Sequence, residues 1–323
     1  MIGATRVLVT GGAGFIGSHL VDKLVALGLQ VRVVDNLSSG SLENIKQHLE
    51  NKRIEFIDAD LKNVSTLKEA LEGVDAVFHF AANPEVRVST LSPEIHFSEN
   101  VVASFNLLEV MRQKDITNLV FASSSSVYGE TGGEPVKEDV ASRPVSVYAA
   151  SKAACENLIH AYSKLYGFNA LLFRYANIVG PRLRHGVIYD LLVKLSKVKD
   201  KLEVLGDGTQ IRSYLYVNDA VDATVVAWLK SRRGFELYNV GNLDYITVNE
   251  VVDTVIKTMG IGDVKLIYKP VLHGVGWPGD VKRIVMDISK MLNMGWRPSM
   301  GSRDAVRATV VSLLNELKFD LQL

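Results

Sequence analysis

The chain has 323 residues, with 36 Lys and Arg against 36 Asp and Glu and a formal net charge of zero. Its 47% hydrophobic and 22% charged residues suit a globular chain of about two domains, and a pI near 7.1 argues against one built mainly to bind nucleic acid or an anionic membrane. The single cysteine, Cys155, can make neither an internal disulfide nor a thiolate metal cluster and reads as a small buried hydrophobe, and no run reaches the ~18 apolar residues of a membrane span.

RVLVT (Arg6 to Thr10) is a short β-branched run, as expected of a strand buried on both faces. GGAGFIG follows where a leader peptide would run on, so the sequence predicts a soluble, cytoplasmic chain. In SHLVDKLVAL, Leu20, Leu24 and Leu27 recur at helical spacing until Gly28, and VRVVD (Val31 to Asp35) reads as a second strand. The cycle repeats through IEFIDAD (Ile54 to Asp60), a helix from about Ser65 to Glu72, DAVFHFAA, a helix from about Glu99 to Gln113, and NLVFASS. A helix from Tyr148 to Tyr166 then leads into ALLFRYANIVGP, a sixth strand. Strands separated by helices predict a doubly wound parallel sheet with right-handed crossovers.

Beyond Asn177 the rhythm changes. Pro181 and the basic RLRH precede a helix near Ile188 to Leu195, a solvated KVKDK loop, a strand entering a turn in LEVLGDGTQ, and a strand–helix pair with the helix starting near Asn218. ELYNVGN (Glu236 to Asn242) is apolar enough to return to the main sheet. VNEVVDTVIKTMG, KLIYKP and the turn-rich HGVGWPGD predict a smaller α/β lobe. The predicted division is residues 1–177, with the strand near 236–242, and residues 178–323, the two sharing one cleft.

Gly11, Gly14 and Gly17 lie between a strand and a helix as G-x-x-G-x-x-G. A pyrophosphate can approach backbone N–H groups at such a turn only where no Cβ obstructs it. Strand, turn and helix stand in the required order, which makes the first domain Rossmann-type and NAD-binding. Asp35, at the end of the second strand, can accept both adenosine ribose hydroxyls and would repel a 2′-phosphate, which favours NAD over NADP.

The spacing resembles the short-chain dehydrogenases/reductases, in particular the extended branch that acts on nucleotide sugars. The glycine turn with Phe15 and Ile16 is one part of that resemblance. DNLSSG, comprising Asp35, Asn36, Leu37, Ser38, Ser39 and Gly40, is similar to the adenosine-ribose loop of sugar-nucleotide epimerases. Asp60 and Leu61 match the pair flanking adenine; Phe80, Ala81 and Ala82 match the fourth-strand end along the cofactor; Asn100 matches a supporting helix asparagine. Pro84 departs from the pattern by standing where some epimerases carry a cofactor-contacting lysine, so Arg87 is the candidate to replace that charge.

Tyr148 and Lys152 form Y-x-x-x-K, and residues four apart share a helix face. Tyrosine titrates near 10, and a base useful near pH 7 needs about 4 kcal/mol of phenolate stabilisation. An adjacent ammonium and a positive nicotinamide ring are the expected sources. SSSSVYG resembles the family's fifth-strand segment, which implies Ser124 as the catalytic serine, Ser123 beside the cofactor and Ser126 beside the sugar. The family's 4,6-dehydratases carry an Asp–Glu pair after the serine or threonine, and its decarboxylases a glutamate before Val-Tyr-Gly. Here Ser125 and Ser126 stand there, so elimination lacks its acid and base. Epimerisation at carbon 4 needs no more than the oxidation–reduction cycle.

YANIVGPR resembles the sixth-strand exit, implying Tyr175 near the nicotinamide ribose and Asn177 on the diphosphate sugar. LEVLGDGTQIRSYLYVND resembles a nucleotide clamp, in which the backbone from Glu203 to Leu205 pairs with uracil and Arg212 holds the diphosphate. GWPGDV, with Asp280, resembles an R-P-G-D turn, but Trp277 stands where a second diphosphate arginine is usual. Trp277 then stacks on the nucleotide, or Lys282, Arg283, Arg182 or Arg184 supplies the charge, or affinity is low. Ile284 aligns with a residue gating space beside the sugar 2-position, and its size leaves room for N-acetylhexosamines. The resemblance implies an NAD-dependent 4-epimerase of UDP-glucose and UDP-galactose, with N-acetylated UDP-sugars as the alternative substrate class and a non-catalytic NAD sensor as the alternative outside catalysis. It also implies a homodimer through the helices near 99–113 and 148–166, where Ala154, Leu158, Ile159 and Tyr162 form a stripe that could equally face the core.

Overall fold

The computed structural model describes residues 4–231 and 234–317. Its centre is a seven-stranded sheet. The strands are β1 (Arg6–Thr10), β2 (Gln30–Asp35), β3 (Ile54–Asp58), β4 (Ala76–His79), β5 (Asn118–Ser124), β6 (Asn169–Tyr175) and β7 (Phe235–Val240). They lie in the order β7-β6-β5-β4-β1-β2-β3, and each neighbouring pair is parallel. The chain therefore reverses direction across the sheet at β1, which has β2 on one side and β4 on the other. A crevice opens at the carboxyl ends of strands at such a switch point.

Alternation along each strand assigns its two faces. Val7 and Val9 of β1 pack with helix α1 (Phe15–Ala26), whereas Leu8 packs on the other face. That second face is covered by α2 (Val64–Ala70), α3 (Ala103–Gln113) and α4 (Val147–Tyr166). Helix α4 starts sharply because Ser146 accepts the Ala149 N–H, and it ends at Gly167, which takes the left-handed conformation at φ 71°. Ile159 and Tyr162 belong to this core, so that part of the stripe faces inward. Cys155 is buried there too.

The smaller lobe packs α5 (Gly186–Lys197), α7 (Val248–Met259) and α8 (Ser302–Leu317) against the parallel strands Lys201–Leu205 and Lys265–Lys269. Helix α6 (Val217–Lys230) lies beside α1 on the same face of the main sheet and leads into β7.

Two elements differ from the sequence reading. The expected sixth strand breaks at Ala176: β6 stays in the main sheet, and Asn177–Val179 leaves to pair with Tyr214–Tyr216 in the lobe. The helix expected from Glu99 begins as a π-helical turn, Phe97–Val102, which carries Asn100 inward before α3 starts. No helix among the described residues is long and apolar enough to cross a membrane.

Candidate active site

A cavity of about 640 Å³ opens where the carboxyl ends of β1, β2, β4, β5 and β6 face the smaller lobe. Its cofactor end is built from backbone. Gly11 has φ +67°, and a Cβ there would lie 2.6 Å from Ala81 N; one at Gly17 would lie 2.1 Å from the Gly11 carbonyl oxygen. Gly14 caps α1 without a side-chain hydrogen bond, and Gly14, Phe15, Ile16 and Gly17 all line the cavity. The first-turn N–H groups of α1 are thus left for a ligand, and the partial positive charge of the helix end favours an anion.

Asp35 lies at the tip of β2. It accepts hydrogen bonds from Ala13 N (3.0 Å) and Leu37 N (2.8 Å), and burial pushes its carboxyl above the usual range against these two bonds. Asn36, Ser38, Ser39, Asp60, Leu61, Phe80, Ala81 and Ala82 line the same end, and Asn36 donates to Asp60 at 3.3 Å. Leu37 and Gly40 shape the loop without lining the cavity: Leu37 takes φ +57°, and a Cβ at Gly40 would lie 3.0 Å from each Asp35 oxygen. Asn100 is also set back. It accepts from Asn83 N (2.9 Å) and donates to Ser151 Oγ (2.8 Å), so it fixes the loop after β4 against α4. A glycine cradle closed to any Cβ, an uncapped helix start and a carboxylate at the second strand's tip fit a dinucleotide.

At the chemical end, Ser123 and Ser124 from β5, Ser126 from the helical turn that follows it, and Tyr148 and Lys152 from α4 meet in the cavity wall. Ser124 Oγ lies 2.8 Å from Ser126 Oγ and accepts the Ser126 N–H at 3.2 Å. Tyr148 is half-buried in this wall. Burial pushes its phenol above the ordinary value, and the hydrogen bond with Ser124 draws it back. The Lys152 ammonium donates to Ala122 O at 2.8 Å and lies 4.9 Å from the Phe121 ring centre, and burial lowers it to about 8.

Several contacts of this end were not foreseen. Ser89 Oγ accepts the Tyr148 N–H at 3.0 Å, His96 meets the Tyr148 ring edge-on at 5.5 Å, and Ser151 Oγ donates to the Tyr148 carbonyl at 2.7 Å. Tyr175 lines the cavity with its ring while its hydroxyl bonds Thr224. Ser89 and His96 sit in short helical turns, Val86–Thr90 and Pro93–His96, that carry no periodic signal, so only the fold brings them to Tyr148.

The substrate end is built from side chains. Asn177, Glu203, Leu205, Arg212, Trp277, Asp280 and Ile284 line it. Arg212 donates to Asp280 Oδ1 at 2.8 Å, to Val281 O at 2.5 Å, and to the Ile211 and Lys282 carbonyls at 2.8 and 3.2 Å. The backbone of Glu203 is partly engaged as well, its carbonyl accepting from Lys194 at 3.0 Å. Of the candidates to replace the charge at Trp277, Lys282 is bonded to Asp207, and neither Lys282 nor Arg283 lines the cavity. Arg182 and Arg184 line it but are paired with Asp22 at 2.9 Å and Glu316 at 2.8 Å. Arg87 bridges the cleft to Asp190 of α5 at 3.0 Å while also bonding Glu85. Trp277 Nε1 is buried with no hydrogen-bond partner. Among the described residues no group of three or more His, Cys, Asp or Glu could hold a metal ion.

A glycine turn at a switch point, with serine at the end of β5 and tyrosine and lysine in the first turns of the helix that follows it, defines a dinucleotide-binding protein of the extended short-chain dehydrogenase/reductase class. Residues 7–241 match the NAD dependent epimerase/dehydratase family; the chain belongs to it, and its cofactor is NAD. It is 36% identical over 313 residues to a putative UDP-glucose 4-epimerase of Methanocaldococcus jannaschii, covering 94% of this chain and 97% of that one. A solved UDP-galactose 4-epimerase is 47% identical with a TM-score of 0.85, covering 97% of this chain and 99% of its own. The NAD complex of a Thermus thermophilus UDP-glucose 4-epimerase is 37% identical, also with a TM-score of 0.85, covering 95% and 98%. Other relatives are named for UDP-N-acetylglucosamine, UDP-arabinose and UDP-glucuronate as 4-epimerase substrates. The chain is thus of the nucleotide-sugar 4-epimerase kind.

Proposed function

We propose that the chain interconverts UDP-glucose and UDP-galactose at carbon 4 as a cytoplasmic enzyme. The observation that carries the reading is the meeting of Ser124, Tyr148 and Lys152 in one cavity wall with serines, not carboxylates, at 125 and 126. In this reading Tyr148 takes the proton of the sugar 4-hydroxyl and later returns it, while Ser124 hydrogen-bonds the same oxygen. Bound NAD supplies the reversible two-electron oxidation at carbon 4. Tyr148 gives back the proton it takes, so no further acid or base is required. Asn177, Arg212 and the strand ending at Leu205 are the groups assigned to the UDP moiety, and Trp277 offers an aromatic face there.

The deciding experiment is incubation of the protein with UDP-galactose and, separately, UDP-N-acetylgalactosamine, with products identified by NMR. Formation of UDP-glucose supports the reading, and a 4-epimer from neither substrate overturns it. The second substrate belongs in the test because Ile284 lines the cavity at the edge of a small hollow shared with Ser125, Gly241 and Tyr245. Tyr148→Phe is expected to lower turnover roughly 10²- to 10⁴-fold while leaving NAD bound; near-normal turnover would remove Tyr148 from its role.

A homodimer belongs to the same proposal. Its support is exposed apolar surface on the helices concerned: Phe97 at 60%, Phe105 at 45% and Leu165 at 71% exposure. Light scattering at micromolar concentration tests it, and a monomeric mass refutes it.

A further inference from the structure

Outside the cavity, one buried carboxylate touches the chain segments that carry the reacting groups. Glu156 lies on α4, one turn past Lys152 and two past Tyr148, on the same helix face. Its Oε1 accepts from Ser123 Oγ at 2.5 Å and from Arg174 Nε at 2.9 Å, and its Oε2 accepts from Arg174 Nη2 at 2.6 Å. Ser123 directly precedes Ser124 on β5, and Arg174 directly precedes Tyr175 on β6. The Glu156 and Arg174 side chains are 8% and 6% exposed. Arg174 also stacks over the Tyr128 ring at 4.6 Å and donates to Glu138 O at 3.2 Å. The pair is therefore tied to β5, to the Tyr128 ring and to the Glu138 carbonyl.

A buried ion pair is poor evidence for stability, because its desolvation cost offsets much of the attraction and apolar residues often replace it without loss. A role beyond stability has to be sought in what the pair touches. We infer that Glu156 is a positioning residue for the reaction, fixing Ser124 and Lys152 relative to Tyr148 and keeping a negative charge beside the Lys152 ammonium. The inference rests on the functional reading above.

The other groups acting on or facing Lys152 leave this task to Glu156. On its own helix these are Cys155 and Tyr148, on β4 His79, and on the short helix Pro93–His96 the ring of His96. Burial holds His79 at about 3 and lowers His96, so both rings are neutral near pH 7, and burial pushes the Cys155 thiol up. Against the lowering effect of burial, Lys152 is raised by its neighbours Cys155 and Glu156, and of these two Glu156 is the carboxylate. Without it Lys152 sheds its proton at lower pH.

The test is the pH profile of kcat and KM, from about pH 6 to 10, for the wild type, Glu156→Gln, and Glu156→Gln combined with Arg174→Met. The double variant leaves no unpaired guanidinium and guards against failure of the single variant to fold. The expected result in both is an alkaline limb of kcat moved down by about one pH unit. At pH 7 kcat should fall roughly 10- to 10²-fold, with KM within about twofold. A merely structural role would lower the folded fraction and leave the limb where it was. A limb at the wild-type position in a folded variant, or a wild-type profile without an alkaline limb, overturns the inference. Tyr148→Phe in the same assay separates the two failures: if it is inactive and the limb unmoved, only the role of Glu156 falls.

Discussion

At the cofactor end of the cavity the wall is main chain, packed so closely that Gly11 and Gly17 have no room for a methyl group. At the substrate end it is side chain, and the four arginines that line the cavity, Arg87, Arg182, Arg184 and Arg212, are each already held by a carboxylate. A main-chain wall is rigid and accepts its ligand through N–H groups whose direction cannot change. A wall of paired side chains is adaptable, but an incoming diphosphate must compete with Asp280 and backbone carbonyls for Arg212. The first end should therefore fail sterically and completely, the second electrostatically and by degrees.

Substitutions can break this contrast or sharpen it. The largest effect is expected from Gly17→Ala. Its methyl would stand 2.1 Å from the Gly11 oxygen, so the turn must open. The protein should purify without NAD, and stability should fall by about 1–3 kcal/mol, read by cofactor content and thermal melting. Wild-type NAD content would mean that the turn is softer than its geometry says. Next comes Arg212→Met, which leaves the Asp280 carboxylate, 6% exposed, without its charged partner. KM for the UDP-sugar should rise about 10²-fold, equivalent to about 3 kcal/mol, while NAD content stays normal. Loss of NAD in this variant would show that the two ends are not independent. The smallest effect is expected of Trp277→Arg. The indole N–H it removes has no partner, and the guanidinium it adds can reach a phosphate. Binding of UDP, followed by calorimetry, should tighten by roughly 3- to 10-fold; weaker binding would establish the indole face as the nucleotide's own contact.

The two ends also differed in how far the sequence exposed them. A strand, a glycine turn and a helix are contiguous, and Tyr148 and Lys152 are one turn apart, so short-range spacing was enough. The return of β7 was legible from the apolar content of ELYNVGN alone. The break at Ala176 was not, because β6 and Asn177–Val179 have similar composition and only their partners differ. Ion pairs such as Arg87–Asp190 join distant segments and leave no pattern along the chain. Spacing showed a lysine on the same face as Tyr148, but the effect of burial on the phenol is a property of the finished fold. Glu156, four residues past Lys152, carried a usable signal: a charged residue on an inward helix face implies a buried partner.

The position of β7 has a consequence for how the molecule is made. Six neighbouring pairs, from Phe235–Ala170 to Val240–Tyr175, close the outer edge of β6, and they form only after the chain has built Asn177–Val179, α5 and α6. During synthesis β6 therefore remains an open edge while more than sixty further residues, roughly several seconds of translation, emerge. Over that interval the nascent sheet presents a free row of backbone donors and acceptors to any other strand nearby. A ribosome stalled between residues 176 and 234 would hold the chain with its cofactor turn complete and one side of its sheet unguarded.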